Sequence, residues 1–270
     1  MDDVRAPWPR LLQRWVLGMG LVSWRYMWQT TPLHRWERHD RQAQRPPAVP
    51  EEVRADGLQS WSSGVGDLYH RQFRVWIREA QEDATGLMTA LIEDFGRFLP
   101  SEVVHLHEGD AAGRALRVDD EMVVDMPGPW NGPVRVAAVE ERRLRLVTLV
   151  GHLEAGQVEF RAHDEPRHVV FEVETWARSS SRAVHLLYSR LRLAKEIQLN
   201  MWLRVCQAAA RIARGRLDGG VEIGTVVTPA PVRPGRPERR LQSRCPGHPS
   251  RGPGQPLELV GRRLRDRPAP

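Results

Sequence analysis

The chain has 270 residues, 41% hydrophobic and 27% charged, an ordinary globular composition that excludes a wholly disordered chain and a collagen-like repeat. No run of about 20 apolar residues occurs, so no conventional membrane-spanning helix is expected, and the two cysteines, Cys206 and Cys245, exclude a disulfide-dense scaffold and an all-cysteine zinc site. The net charge of +6 sits at the end of the chain: residues 224–270 carry ten Arg and three acids, a net of +7, leaving residues 1–223 near neutral at −1.

In chain order, residues 1–40 form a Trp-rich segment holding half of the ten tryptophans: Trp8, Trp15, Trp24, Trp28 and Trp36. Pro9 suits the first turn of a helix over Arg10–Trp28, with Leu11, Trp15, Val22 and Tyr26 on one face. That helix docks its Trp face on the domain or, with Arg10, Arg14 and Arg25, rests residues 10–28 on a membrane surface. The run from His34 to His39 reads as its polar end; its Glu lies at the wrong spacing for a zinc-binding HExxH helix. Residues 41–63, Pro-rich and aperiodic, read as an extended linker.

The domain proper is placed at 64–218. Gly64-Val65-Gly66 lacks the third glycine of a dinucleotide fingerprint and leads into a strand. From Leu68 to Glu79, Tyr69, Phe73, Val75 and Ile77 alternate with His70, Gln72 and Arg74, a half-buried strand. Residues 82–99 switch to helical spacing through Leu87, Leu91 and Phe95, and Pro100 stops the helix. Six further strands are expected near Val103–His107, Leu116–Met126, Val134–Glu140, Leu144–Val150, Gln157–His163 and Arg167–Ala177, separated by turn chemistry such as Asp164-Glu165-Pro166. Ser179–Ser181 offer caps for a long helix to about Arg214, striped by Ala183, Leu187, Leu191, Ala194, Met201, Val205, Ala208 and Ile212. Gly219-Gly220 read as the end of ordered chain, and 219–270 as a disordered Pro/Arg-rich tail.

This order predicts an α+β helix-grip fold of the START and Bet v 1-like kind: a curved antiparallel seven-stranded sheet around a long C-terminal helix, plus the N-terminal helix and the tail. A helix laid across a curved sheet leaves a gap lined by apolar side chains. Phe73, Val75, Leu146, Phe160, Phe171 and Val173 from the strands and Leu187, Leu191 and Met201 from the helix are the candidate lining, with Trp130 over the mouth as lid or end plug. The period gives two faces without saying which is concave.

Several motifs carry the resemblance to a known family. Gly151-His152-Leu153-Glu154-Ala155-Gly156-Gln157-Val158-Glu159-Phe160 resembles the GH-x-E-x-G-E-x-x-F region of the DUF1990 family. Gly64-Val65-Gly66 with Tyr69 resembles its opening, and Thr175-Trp176-Ala177-Arg178-Ser179 its strand exit before the long helix. The resemblance spans residues 60–213 and implies a fold and a pocket, with no activity to carry over.

Chemistry-bearing groups are sparse. Asp120, His152 and Glu159 are the candidate polar anchors, and they support acid–base work only if they converge on a cavity. His105-x-His107 has no third partner at diagnostic spacing, so no metal is assigned. The expected function is binding of an apolar or amphipathic small molecule or lipid, with no cofactor and no catalytic residue assigned. The alternatives are a small-molecule enzyme of cyclase or hydrolase-like type, and a membrane-surface adaptor using the N-terminal helix and basic tail. Nucleic-acid binding by the near-neutral folded part is disfavoured. Arginine bias and the lack of an export signal point to a bacterial cytoplasmic protein, with membrane association as the adaptor's variant.

Overall fold

The computed structural model describes residues 32–42, 45–100, 105–107, 109, 112–125, 131–181 and 193–230. All belong to the compact unit that ends at Pro231. The helix expected over Arg10–Trp28, Trp130, the first part expected of the C-terminal helix with Leu187 and Leu191, and residues 231–270 lie outside the described residues.

The described strands are β1 (Leu33–His39), β2 (Val65–Arg78), β3 (His105–His107), β4 (Glu121–Asp125), β5 (Asn131–Glu140), β6 (Arg143–Thr148), β7 (Glu154–Glu165), β8 (His168–Ser179) and β9 (Arg216–Thr228). They form one sheet in the order β1-β9-β2-β8-β7-β6-β5-β4-β3. From β3 to β8 each strand pairs antiparallel with the next in sequence, and β8 pairs with β2. β2 to β8 overlap the strands expected, but the described sheet has nine strands rather than seven, with β1 and β9 added at the two ends of the chain's order.

Both misses have a physical reason. β1, Leu-His-Arg-Trp-Glu-Arg-His, has no apolar alternation because all of it beyond Leu33 is exposed. It is an edge strand paired parallel to β9, and not the polar end of a helix. In β9 the Gly219-Gly220 pair marks a register shift, not a stop: both have positive φ (+74 and +95), and the strand resumes through Val221, Ile223, Thr225 and Val227. The described sheet thus runs to Thr228, ten residues past the boundary expected at 218.

Two described helices lie against one face of the sheet. α1 (Ala84–Glu93) starts where Asp83 caps the amide of Gly86 at 2.7 Å and Asp164 accepts from Ala84 at 2.9 Å. It buries Ala84, Leu87, Met88 and Leu91. Asp94 then caps a 3-10 turn at Phe95–Phe98, and Pro100 follows. α2 (Leu193–Ile212) packs on β2, β8, β9 and the 3-10 turn. Its Ala208, Ala209 and Ala210 are buried, small side chains that let the helix lie close. No described helix is long and apolar enough to cross a membrane.

Between helices and sheet lies the main core, including Phe73, Val75, Ile77, Leu144, Leu146, Phe160, Phe171, Val173, Val221 and Ile223. The helix-bearing face is thus the one formed by the odd residues of β2 and β8 and the even residues of β6 and β7.

The opposite face is crossed by residues 45–63, which correct the expectation of a mobile linker. Val53 is buried against Ala137 and Val147. Leu58 bridges Leu149, and Gln59 donates to the backbone oxygens of His152 (2.8 Å) and Glu154 (2.7 Å). Gln157 donates to Pro47 O at 3.1 Å. The sequence there lacks periodicity because it is a strap held residue by residue, not a helix or strand.

Candidate functional site

The two helices enclose a groove of about 800 Å³. α1 presents Gly86, Thr89, Ala90 and Glu93, one stripe at helical spacing, preceded by Glu82. α2 answers with Arg204, Ala208, Arg211 and Ile212, followed by Arg214, and the 3-10 turn closes one end with Arg97, Phe98, Leu99 and Pro100. Ala90, Ala208, Phe98, Leu99, Pro100 and Ile212 make an apolar floor. Four arginines and two glutamates stand around it, a local net charge of +2. Such a shape accepts a molecule with an apolar body and an anionic group, since arginine offers a planar fork to carboxylate or phosphate oxygens.

Phe98 separates this groove from the core. It is 1% exposed, lines the groove, and lies 6.4 Å from the ring of Phe171. Below it, Phe160 meets Phe95 at 5.5 Å and Trp202 at 5.8 Å, both edge-on. The strand residues expected to line a ligand cavity (Phe73, Val75, Leu146, Phe160, Phe171 and Val173) are all buried on the helix side of the sheet and packed together with these rings. Met201 is half-buried against the same cluster. None of these seven lines the groove.

The three polar anchors do not meet. Asp120 sits in the turn before β4, where Arg114 grips it with two bonds of 2.7 Å and the Arg117 amide adds a third. The Arg114 bond holds its carboxyl below the usual range against the cost of burial. The strand expected from Leu116 starts only at Glu121, because Asp119 has φ +76 and turns the chain before it. His152 lies in the turn between β6 and β7, where Nδ1 accepts from the amide of Glu154 at 2.9 Å. Burial pushes its pKa down to about 4. Glu159 lies on the strap side of β7, 2% exposed. None of the three lines the groove. Among the described residues no three His, Cys, Asp or Glu side chains are grouped to hold a metal ion.

Two polar features escaped the sequence reading. On the helix side, Arg71 is 8% exposed, stands across from Thr175 and Thr225, and lies over the ring of Tyr69 at 5.3 Å. It marks where the apolar surface of that face ends. On the strap side, one row crosses six strands as Glu222, Arg74, Glu172, Arg161, Arg143 and Glu140. Glu172 takes bonds from Arg74 (2.5 Å) and Arg161 (3.3 Å). Glu174, in the next row, takes His70 at 2.6 Å and Arg161 at 2.8 Å. Burial alone would raise its pKa, but His70 and Arg161 outweigh that and hold it low. Beside it, Arg145 and Glu159 are cross-strand neighbours, both nearly fully buried. Yet Arg145 Nε and Nη1 and Glu159 Oε2 have no hydrogen-bond partner among the described residues. The signal was charge at alternate positions of four strands; pairing those charges requires the register, which no single strand reveals.

Neither a family model nor a curated protein matches the chain. Solved structures do. The di-domain ARO/CYC StfQ from the steffimycin biosynthetic pathway matches at 11% identity and TM-score 0.42, over 57% of this chain and 52% of that one. The chain therefore spans about half the length of StfQ. Ginseng major latex-like protein 151 from Panax ginseng matches at 9% identity and TM-score 0.37, over 53% of this chain and 96% of that one. Norcoclaurine synthase from Thalictrum flavum matches at 12% identity and TM-score 0.38, over 56% and 96%. Likenesses at these scores carry no function across, so the chemistry must come from this chain's own residues.

Proposed function

We propose that this chain binds a small amphipathic molecule bearing an anionic group, in the groove between α1 and α2. The carrying observation is the groove itself: about 800 Å³, an apolar floor, and Arg97, Arg204, Arg211 and Arg214 around it. An apolar body would lie against Ala90 and Ile212, the half-buried apolar residues of the lining, while the acid faces the arginine forks. This moves the expected binding place from beneath the helix to its flank, because the rings of Phe95, Phe98 and Trp202 occupy the space next to Phe160 and Phe171. The affiliation to DUF1990, resting on motifs in residues 60–213, belongs to this proposal and implies a pocket rather than a named reaction. An enzymatic reading would need Asp120, His152 and Glu159 to share a cavity. They occupy two turns and the far face of the sheet, so binding is the reading the geometry favours.

The test is fluorescence titration with anilinonaphthalene sulfonate, an anionic apolar probe. The full chain should bind it, and an Arg97→Glu/Arg211→Glu variant should bind about tenfold more weakly or worse. Arg216→Glu, a control at an exposed site outside the groove, should bind as the parent does. Absence of binding to the parent, or equal binding by the parent and the groove variant, would overturn the assignment.

A further inference from the structure

The β1 edge of the sheet is the strongest unassigned surface. In the parallel pairing of β1 with β9, Val221 N donates to Pro32 O and Asp40 N donates to Val227 O, both at 3.0 Å. This phase, with the register Leu33↔Val221 through His39↔Val227, turns the backbone groups of His34, Trp36 and Arg38 toward β9. The N–H and C=O groups of Leu33, Arg35, Glu37 and His39 therefore face away from the sheet, and no described strand pairs with them. The side chains of β1 beyond Leu33 are exposed, and Leu33 is half-buried against the core.

The side chains divide in the same way. Trp36 lies over Gly224, where a Cβ would come within 2.4 Å of its ring, so it belongs to the strap face. It is nonetheless 51% exposed, one of two large apolar residues so exposed in the described chain, with the Arg38 guanidinium 5.7 Å from its ring centre. Arg35 and Glu37 follow Leu33 on the helix face.

We propose that β1 pairs antiparallel with β1 of a second copy of this chain, about a two-fold axis at Trp36. Both conditions of that register are set by residues already described. First, an antiparallel pair needs outward-bonding residues opposite one another. A two-fold at Trp36 sets Arg35 against the partner's Glu37, and Leu33 against the partner's His39, all of them outward-bonding. Second, the charges fit: each arginine meets a glutamate, twice by symmetry. A two-fold one residue away at Arg35 or Glu37 would set that charge against its own copy, and one at His34 or Arg38 would leave only three residues of each strand paired. At the axis the two Trp36 side chains occupy a non-hydrogen-bonded position, where strands approach most closely, and cover each other's exposed ring. Exposed edges are commonly blunted by charge. Here the charges carry both signs, placed to complement their own reflection.

Sedimentation velocity of the full chain over a concentration series tests this. A mass rising from monomer to dimer is expected. Glu37→Arg alone sets Arg35 against a second arginine twice over and should weaken dimerisation about tenfold or more. Arg35→Glu should do the same, and Arg35→Glu/Glu37→Arg should restore it. At concentrations where both are monomeric, these exposed single variants should keep the parent's melting temperature. A parent that stays monomeric up to millimolar concentration overturns the proposal. So does a dimer indifferent to the single reversals, or one that the double reversal fails to rescue.

Discussion

Replacing Arg135 by Met should release the strap from the back of the sheet. Arg135 is 1% exposed in β5. Its Nη1 donates to the backbone oxygens of Arg54 and Asp56, the latter at 2.9 Å, and its Nε and Nη2 hold Glu121. Burial disfavours the charge, but Glu121, then Asp56 and Asp119, outweigh it and raise the pKa. Met refills most of the volume, so the loss is one of hydrogen bonds rather than of space. Glu121 is half exposed and regains water, so that pair counts for about 1 kcal/mol at most. The two carbonyl oxygens lose charged donors, at about 1.5–3 kcal/mol each. A destabilisation of about 3–7 kcal/mol is therefore expected, a large share of the roughly 5–15 kcal/mol that holds a domain. The assay is urea unfolding, read as a lower midpoint at unchanged slope. Amide exchange should show lost protection at Val53, Leu58 and Gln59, whose amides bond to Pro50, Ala55 and Thr148. A change under about 1 kcal/mol with the strap amides still protected would refute the clasp.

The remaining expectations concern acid and packing. His152 titrates near 4 in the fold and near 6.5 unfolded, so the unfolded chain takes up a proton that the native one refuses. Stability should be full above about pH 6.5 and fall as pH drops through that window, by up to about 3 kcal/mol below pH 4. His152→Asn, which keeps an acceptor near the Glu154 amide, should flatten this part of the profile; identical profiles for parent and variant would count against it. Phe160→Ala removes a fully buried ring from between Phe95 and Trp202 and should cost about 3–5 kcal/mol in denaturant unfolding. A cost near 1 kcal/mol would mean that the rings around it are loosely packed.

How much could be read in advance depended on whether a residue's role was local. β2, β7 and β8 were legible because one face of each is apolar, so Phe73, Val75, Phe160, Phe171 and Val173 alternate with polar neighbours. The order of elements then sufficed to name the block of seven strands. β1 was illegible because its stability comes from backbone bonds to β9 and leaves no hydrophobic record. Gly219-Gly220 misled because two glycines with positive φ serve a bulge as well as a terminus. The α1 stripe facing the core, Leu87 and Leu91, was read correctly. The stripe facing α2 was not, since Gly86, Thr89, Ala90 and Glu93 become a groove wall only when Arg204, Ala208 and Arg211 stand opposite. Arg71 shows the same limit: its position in β2 places it on the apolar face, but a cationic residue there breaks the pattern used to find that face.

The position of β2 has a consequence for the order of assembly. It lies between β8 and β9, and β9 is also the strand that β1 pairs with. As the chain leaves the ribosome, β4 through β8 each find a partner in the strand just made. β2 must wait for β8, and β1 waits for Thr228. Non-local pairing of this kind closes long loops before any contact rewards it, so the first two strands are the last to be secured. A nascent chain stopped after β8 would present the Phe73–Ile77 stretch of β2 as a bare edge, the kind of strand that invites pairing with another chain.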